Sequence, residues 1–154
     1  MIQRIQTVYF FIAILLVSIP LASMTFFSYT INAIEFHVTA FGIENMTKPE
    51  VDGKTYFLPM LAIALLLISA IFSFKNRKRQ ITLSWLAMVL NISSAAWMAT
   101  MSFTDAKACT ECETSGATPA LGFYLYIAAF IFILLGNLGV RKDKKLVDSL
   151  DRLR

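Results

Sequence analysis

The sequence predicts an all-α membrane protein in which four transmembrane helices form an antiparallel bundle. Four long apolar runs carry no Asp, Glu, Lys, Arg or His, and they cover residues 7–31, 57–74, 81–103 and 119–140. A helix needs about 20 apolar residues to cross a hydrocarbon core roughly 30 Å thick, and each run meets or nearly meets that length. Only 16% of the residues are charged, whereas a soluble domain carries about a quarter. We therefore expect one integral membrane domain over residues 1–154.

The charged residues divide the connecting segments into two kinds. Lys and Arg concentrate at Arg4, in the turn at 75–79 and in the tail at 141–154, whereas most Asp and Glu lie in the other two loops. Cytoplasmic loops carry an excess of Lys and Arg, so we predict cytoplasmic termini and two loops that face outward. Contacts to anionic lipid account for the net charge of +4 without a nucleic-acid partner. The side chains expected to contact lipid headgroups or a partner are Arg77, Lys78, Arg79, Arg141 and Lys142.

The first span and the first loop predict a helix followed by a small β-element. Span one covers about residues 7–27, and Pro20 should kink its outer third. We interpret this segment as a retained span rather than a cleaved signal peptide, because the uncharged run continues well past a poor cleavage site. Apolar and polar residues then alternate from 34 to 40, which indicates a half-buried strand. A return strand at 54–57 would complete a small extracytoplasmic β-hairpin; the alternative is an ordered loop without a ladder.

The second and third spans are predicted to be antiparallel neighbours. Span two covers 57–74 and span three covers 81–103, so only a short basic turn separates them. Ser84, Asn91 and Ser94 fall on one face of span three. Small or polar residues on one face of a membrane helix usually mark contact between helices. We therefore expect this face to pack against another helix or against a partner.

The fourth span and the tail predict two separate helices. Span four covers 119–140, and Pro119 directly after Thr118 is a good signal for the start of a helix. In the tail, Leu146, Leu150 and Leu153 share one helical face and the other residues are mostly charged. This pattern predicts a short amphipathic helix that lies on the inner membrane surface or against a partner.

The pair Cys109 and Cys112 is the sharpest chemical feature of the sequence. The predicted topology places it in an oxidising compartment, where disulfides persist. Glu111 and Glu113 flank the pair, and nearby negative charge disfavours the reactive thiolate. We therefore favour a structural disulfide, while redox activity and free thiols with adventitious metal stay open as alternatives. Two cysteines without a nearby histidine fall short of the four ligands of a zinc site.

Other residue types indicate where the spans lie rather than what they do. The four apolar runs carry no ionisable residue, which disfavours a channel or an ion-coupled transporter. Trp85 and Trp97 lie toward opposite ends of span three, as expected for rings at the level of the headgroups. His37 is the sole histidine, and we interpret it as a surface residue. No catalytic residue, cofactor or metal site is predicted, and therefore no enzyme.

Three pieces of the sequence together resemble a known family. They are the opening Met1–Tyr9, the turn Phe74–Arg79, and the tail segments Val140–Asp143 and Asp151–Arg154. In combination they resemble a family of small four-span bacterial membrane proteins classified as a domain of unknown function. The resemblance covers the start, middle and end of the chain. It implies a bacterial inner membrane and cytoplasmic termini, and it brings no catalytic residue.

The sequence leaves three hypotheses for function. The first is a non-enzymatic accessory or structural subunit that binds other membrane protein subunits of a larger inner-membrane complex. The second is a membrane thiol–disulfide protein that uses Cys109 and Cys112, and the third is a small channel or transporter. A homo-oligomer is compatible with all three.

Overall fold

The computed structural model describes residues 3–22, 24–32, 34–45, 55–107 and 116–151. These residues form four α-helices, one 3₁₀ turn and four short strands. In chain order the elements are α1 (Gln3–Ser18), the 3₁₀ turn (Ile19–Leu21), β1 (Phe27–Ile31), β2 (Ile34–Val38), β3 (Ile43–Asn45), α2 (Phe57–Phe72), α3 (Arg77–Ala106), β4 (Thr118–Pro119) and α4 (Leu121–Asp151).

The four helices pack side by side. Helix α1 contacts α2 and α4, and α3 contacts the same two helices from the other side. Gln6 near the start of α1 lies against Gly139, and Phe10 one turn later lies against Gly136. Later residues of α1 thus contact earlier residues of α4, so the two helices are antiparallel. The ring contact of Tyr56, just before α2, with Trp97 of α3 indicates the same for α2 and α3.

The helices are apolar both inside and outside the packed core. On α2, for example, Met60, Ile63 and Leu67 are fully buried, whereas Leu61 and Leu65 are exposed. A helix that is hydrophobic all round belongs either in the core of a large protein or in a membrane. The exposed apolar side chains therefore form an outer surface that water does not favour.

Two of the helices are long and apolar enough to cross a membrane by length and composition. They are the segments Arg77–Ala106, which exceeds the predicted span 81–103 at both ends, and Leu121–Val147, which starts two residues later than the predicted span 119–140 and ends beyond it. Two further apolar helical segments, Ile5–Leu21 and Phe57–Phe72, are shorter. The structure thus contains two candidate membrane spans, and these support membrane association.

The predicted end of span one is wrong. Helix α1 stops at Ser18, and Pro20 lies in the 3₁₀ turn that follows, because proline has no N–H for a helical hydrogen bond. Residues 27–31 then form β1. The predicted start of span four is also displaced, because Pro119 pairs with Phe27 in the sheet and α4 begins only at Leu121.

The predicted β-hairpin is part of a larger antiparallel sheet with strand order β3-β2-β1-β4. The strand predicted from residue 34 onward is β2, but it pairs with β1 and β3 and not with a segment at 54–57. Of the predicted return strand, residue 54 lies outside the described residues, and Phe57 already begins α2. Asn32 directly follows β1 with φ of 52°, a left-handed conformation that Asn tolerates better than most residues. This turn lets the chain fold back from β1 into β2.

One face of the sheet packs on the helices and the other faces away. Phe27, Tyr29, Val38 and Ile43 are buried. The ring of Phe27 contacts Phe123 of α4 at 4.7 Å and Phe103 of α3 at 6.1 Å between ring centroids. The sheet therefore covers the end of the helices formed by the last turn of α3 and the first turn of α4, which we call the sheet end.

The predicted short C-terminal helix is not a separate element. Helix α4 runs without a break from Leu121 to Asp151, because residues 136–151 contain no proline to end it. Arg77 at the start of α3 holds this continuation through an ion pair, with Nε 3.1 Å from Oδ2 of Asp143. We call this end of the helices, which carries Arg77, Lys78, Arg79, Arg141 and Lys142, the basic end.

Candidate functional site

A row of buried polar side chains joins α3 to α4. The structure brings Ser84, Asn91 and Ser94 to the side of α3 that faces α4, and all three are buried. The amide of Asn137 donates to the hydroxyl of Ser84, which in turn donates to the carbonyl of Ile81 at 3.0 Å. We call this row, with its α4 partners, the polar seam. Because these side chains bond to a neighbouring helix, we propose packing within the protein as their role.

The centre of the polar seam is a hydroxyl pair. Ser94 Oγ lies 2.6 Å from the hydroxyl of Tyr126, and Asn91 Nδ2 lies 3.5 Å from the carbonyl of Tyr126. The ring of Tyr126 is fully buried and meets Phe26 edge-on at 6.2 Å. One tyrosine therefore connects the seam to the segment that leads into the sheet.

We expect the Ser94–Tyr126 hydrogen bond to contribute measurably to stability. Ser94→Ala and Tyr126→Phe should each destabilise the protein by about 1 kcal/mol. Their coupling in a double-mutant cycle should be about 0.6 kcal/mol, the mean for hydrogen bonds between membrane helices. Unfolding in mild detergent measures both values. The matched control is Ser93→Ala, because Ser93 is exposed and bonds only to its own helix at Leu90; an equal loss there would contradict the assignment.

The basic end combines paired and exposed cations. Arg77 is paired with Asp143, and the guanidinium carbon of Arg141 lies 5.3 Å from the ring centroid of Trp85. The other predicted headgroup contacts lie at the same end of the helices, and all three are exposed: Lys78, Arg79 and Lys142. Asn76 caps α3 by accepting from the backbone N–H of Arg79 at 3.2 Å, which fixes where the basic turn ends and the helix begins. The turn between α2 and α3 and the middle of α4 thus present their cations together.

The face of the sheet that points away from the helices forms a polar cleft of about 240 Å³, lined by Ser28, Tyr29, Thr30, Glu35, His37 and Thr118. His37 lies opposite Ser28 of β1 and Glu44 of β3, and its Nε2 is 3.9 Å from a carboxylate oxygen of Glu35. Both ring nitrogens are buried without a hydrogen-bond partner within the described residues. The cleft is therefore lined by an imidazole that lies beside a carboxylate.

Tyr56 is a buried phenol at the junction of the sheet and α2. Its backbone N–H donates to the carbonyl of Ala40 at 2.9 Å, and its ring packs on Trp97. The hydroxyl is buried and has no hydrogen-bond partner within the described part of the chain. Burial raises the pKa of Tyr56 above its ordinary value, and the charge of Asp105 raises that pKa further.

We expect Tyr56→Phe to stabilise the protein by about 1 kcal/mol, because it removes a buried hydroxyl that has no hydrogen-bond partner among the described residues. The raised pKa also predicts the pH dependence. Because the folded state disfavours the ionised phenolate, the wild type loses no stability to this group below pH 10, the ordinary pKa, and loses stability as the pH rises above it toward the higher pKa of the folded state. Unfolding measured from neutral to alkaline pH should show a smaller loss above pH 10 in the variant; identical pH profiles would contradict the prediction.

Two sets of residues complete the account of the predicted sites. Cys109 and Cys112 lie outside the described residues. No cluster of three or more His, Cys, Asp or Glu that could hold a metal ion occurs among the residues the structure describes.

Sequence reasoning missed Tyr126 and Asn137 as partners of the polar seam. Asn137 was the available signal, since an amide near the end of an apolar run needs a hydrogen-bond partner.

Comparison with known proteins gives a match over nearly the whole chain. The model of a family described as "Domain of unknown function (DUF4293)" matches residues 2–153. No curated protein matches the chain. The match runs through both ends of the helices and the sheet.

Proposed function

Because the chain belongs to the DUF4293 family of unknown function, we propose its role from the geometry: a non-enzymatic accessory subunit of a larger complex in the bacterial inner membrane. In this proposal all four helices cross the membrane and both termini lie in the cytoplasm. The other membrane subunits of that complex are its partners. The sheet end then faces outward and the basic end faces the cytoplasm.

The observation that supports the accessory role is that buried polar side chains of α3 and α4 bond to each other. Asn137 bonds Ser84 and Tyr126 bonds Ser94, so these buried polar side chains connect α3 and α4 to each other. What remains for other molecules is the outer surface: an apolar belt, a basic end and a polar sheet face. A protein with its polar interior engaged in packing acts most simply by binding through its surface.

The lengths of the helices support four crossings. Helix α1 has 16 residues and continues into a 3₁₀ turn of 3 residues, and together they reach about 30 Å, which matches the hydrocarbon thickness. Helix α2 also has 16 residues and reaches about 24 Å. A span that is a few Å short is accommodated by thinning of the bilayer at a modest cost.

The distribution of charge supports the orientation. Arg77, Arg79 and Arg141 lie at one end of the helices, and Glu35 and Glu44 lie in the sheet at the other end. The positive-inside rule assigns the basic end to the cytoplasm. Labelling of single introduced cysteines in intact cells, in a Cys109→Ser, Cys112→Ser background, tests this. Position 149 should be protected and position 35 accessible; the reverse pattern would refute the orientation.

Extraction of native membranes in mild detergent, followed by mass spectrometry, tests the accessory role. A photo-crosslinker at the exposed position Ala96 of α3 should form one discrete adduct with a membrane protein that co-purifies in a fixed ratio. The control is the same crosslinker at the buried position Ala95, where adducts should stay within the chain. A chain that never co-purifies with a stoichiometric partner would count against the proposal. Retention of the adduct with both cysteines replaced by Ser would separate this role from the thiol–disulfide alternative.

A further inference from the structure

Arg141 stacks on Trp85 in a geometry that leaves its donors available. The guanidinium carbon lies 5.3 Å from the centroid of the indole ring, within the range of a cation–π contact. A cation–π contact uses the charge of the guanidinium and engages none of its N–H donors in a hydrogen bond. Within the described residues Arg141 forms no ion pair, and Asp143 of the same helix is held by Arg77. The donors of Arg141 therefore remain free to bind an anion.

The stacked pair lies where the apolar surface meets the basic end. One turn toward the sheet end, Val89 is 59% exposed and Leu138 is 51% exposed, and Trp85 itself is 45% exposed. In the other direction Lys78 is exposed. Lys78 precedes Trp85 by seven residues, so the two lie on the same face of α3, about 10 Å apart. Apolar surface, indole, guanidinium and ammonium groups thus follow one another along the helix axis.

We propose that Trp85 and Arg141 form a binding site for the phosphate of an anionic phospholipid in the cytoplasmic leaflet. This inference rests on the proposed membrane topology and deepens it by naming the ligand. The planar guanidinium binds two phosphate oxygens at once, while the indole holds its orientation and lies beside the glycerol and the upper acyl chains. Lys78 and Lys142 add positive charge, which favours a lipid with net negative charge over a zwitterionic one.

The occupant is a lipid rather than a soluble anion because the site continues into apolar surface. Val89 on α3 and Leu138 on α4 provide contact for acyl chains directly beside the phosphate position. A free phosphate would use the guanidinium and leave this apolar surface unused. The charge and the apolar surface together match the two parts of a phospholipid.

The test uses the full chain purified in mild detergent and returned to bilayer nanodiscs. One set of nanodiscs contains phosphatidylethanolamine alone, and the other also contains phosphatidylglycerol. Native mass spectrometry then counts the phospholipids that stay bound on release from the disc. Arg141→Lys keeps the charge and removes the planar fork, and Trp85→Leu keeps an apolar side chain and removes the ring. Arg79→Gln is the control, because it removes an exposed charge of the basic end that lies about 120° away from Trp85 around α3.

We expect the wild-type protein to retain phosphatidylglycerol in preference to phosphatidylethanolamine. Arg141→Lys and Trp85→Leu should each weaken retention roughly three- to tenfold, as expected for the loss of a cation–π contact or a bidentate hydrogen bond. The double variant should lose little more than either single variant, because the two side chains act as one unit. Arg79→Gln should change retention less than about twofold.

Two results would overturn the inference. Wild-type retention in Arg141→Lys would show that charge alone binds the lipid, and an equal loss in Arg79→Gln would show a diffuse basic surface. If the protein still inserts into membranes, either result refutes the lipid site and leaves the proposed topology intact. A chain that stays folded in water without detergent would refute both the lipid site and the topology. Thermal unfolding of each variant serves as the folding control. If Trp85→Leu fails to fold, Arg141→Lys decides the question.

Discussion

Replacing Gly122 by Ala is expected to destabilise the protein by about 1–3 kcal/mol, the range for overpacking a filled site. A Cβ atom at this position would lie 2.7 Å from the carbonyl oxygen of Thr25 and 3.2 Å from its carbonyl carbon. Both are backbone atoms, and the N–H of Gly122 donates to the same oxygen at 3.1 Å. The clash therefore cannot be relieved by turning a side chain. It would force apart the first turn of α4 and the segment before β1.

Helix propensity alone predicts that Gly122→Ala stabilises the protein, so the sign of the measured change in stability decides between the two effects. Ala favours a helix over Gly by about 1 kcal/mol, so a loss of stability would show that the close approach to Thr25 outweighs propensity. The control is Gly116→Ala, where no atom of the described residues lies within 4 Å of the added Cβ and we expect a change within about 0.5 kcal/mol. Chemical or thermal unfolding in one detergent compares the two variants. Equal stability of Gly122→Ala and the wild type would contradict the contact.

The second large effect is expected at Gly136, where α1 and α4 approach closely. A Cβ atom there would lie 2.6 Å from Cε1 and 2.9 Å from Cδ1 of Phe10, whose ring is completely buried. We expect Gly136→Ala to destabilise the protein by about 1–3 kcal/mol, because the enclosed ring has little room to move. Gly139→Ala is the matched control: its Cβ would meet Cγ of Gln6 at 2.9 Å, and this flexible chain can shift at a smaller cost.

A compensating substitution makes the second prediction specific. Phe10→Leu alone should destabilise the protein, because it leaves a cavity. Combined with Gly136→Ala, it should be less harmful than the sum of the two changes by about 1 kcal/mol, since the added methyl group fills part of the vacated space. Unfolding of the four proteins of this cycle in one detergent gives the coupling. Simple additivity would indicate that the two residues are not in contact.

The sequence predicts the existence of the helices far better than the strands. Four uncharged runs locate α1 to α4, because a long apolar segment favours a helix whatever it packs against. The strand at 27–31 was missed because it lies inside such a run, although Phe27, Tyr29 and Ile31 alternate with Ser28 and Thr30 as in a half-buried strand. Length and charge alone do not separate the end of a span from a strand that packs on it.

The candidate sites show a similar division. The spacing of Ser84, Asn91 and Ser94 is enough to assign them to one face of α3, because helical period is a local property. Their partner Asn137, and the stacking of Arg141 on Trp85, depend on how α3 and α4 are aligned. That alignment results from packing between segments more than 50 positions apart, and no local pattern in either segment specifies it.

The unbroken course of α4 has a mechanical consequence. Its 31 residues make a stiff rod about 46 Å long, anchored at one end by the Thr25–Gly122 contact and braced near the other by Arg77 and Asp143. With the orientation proposed above, a tilt imposed on the sheet from outside the cell swings the far tip of this rod inside it. In that orientation the helix would pass such a tilt from one side of the bilayer to the other, because α4 contains no break that would absorb the motion.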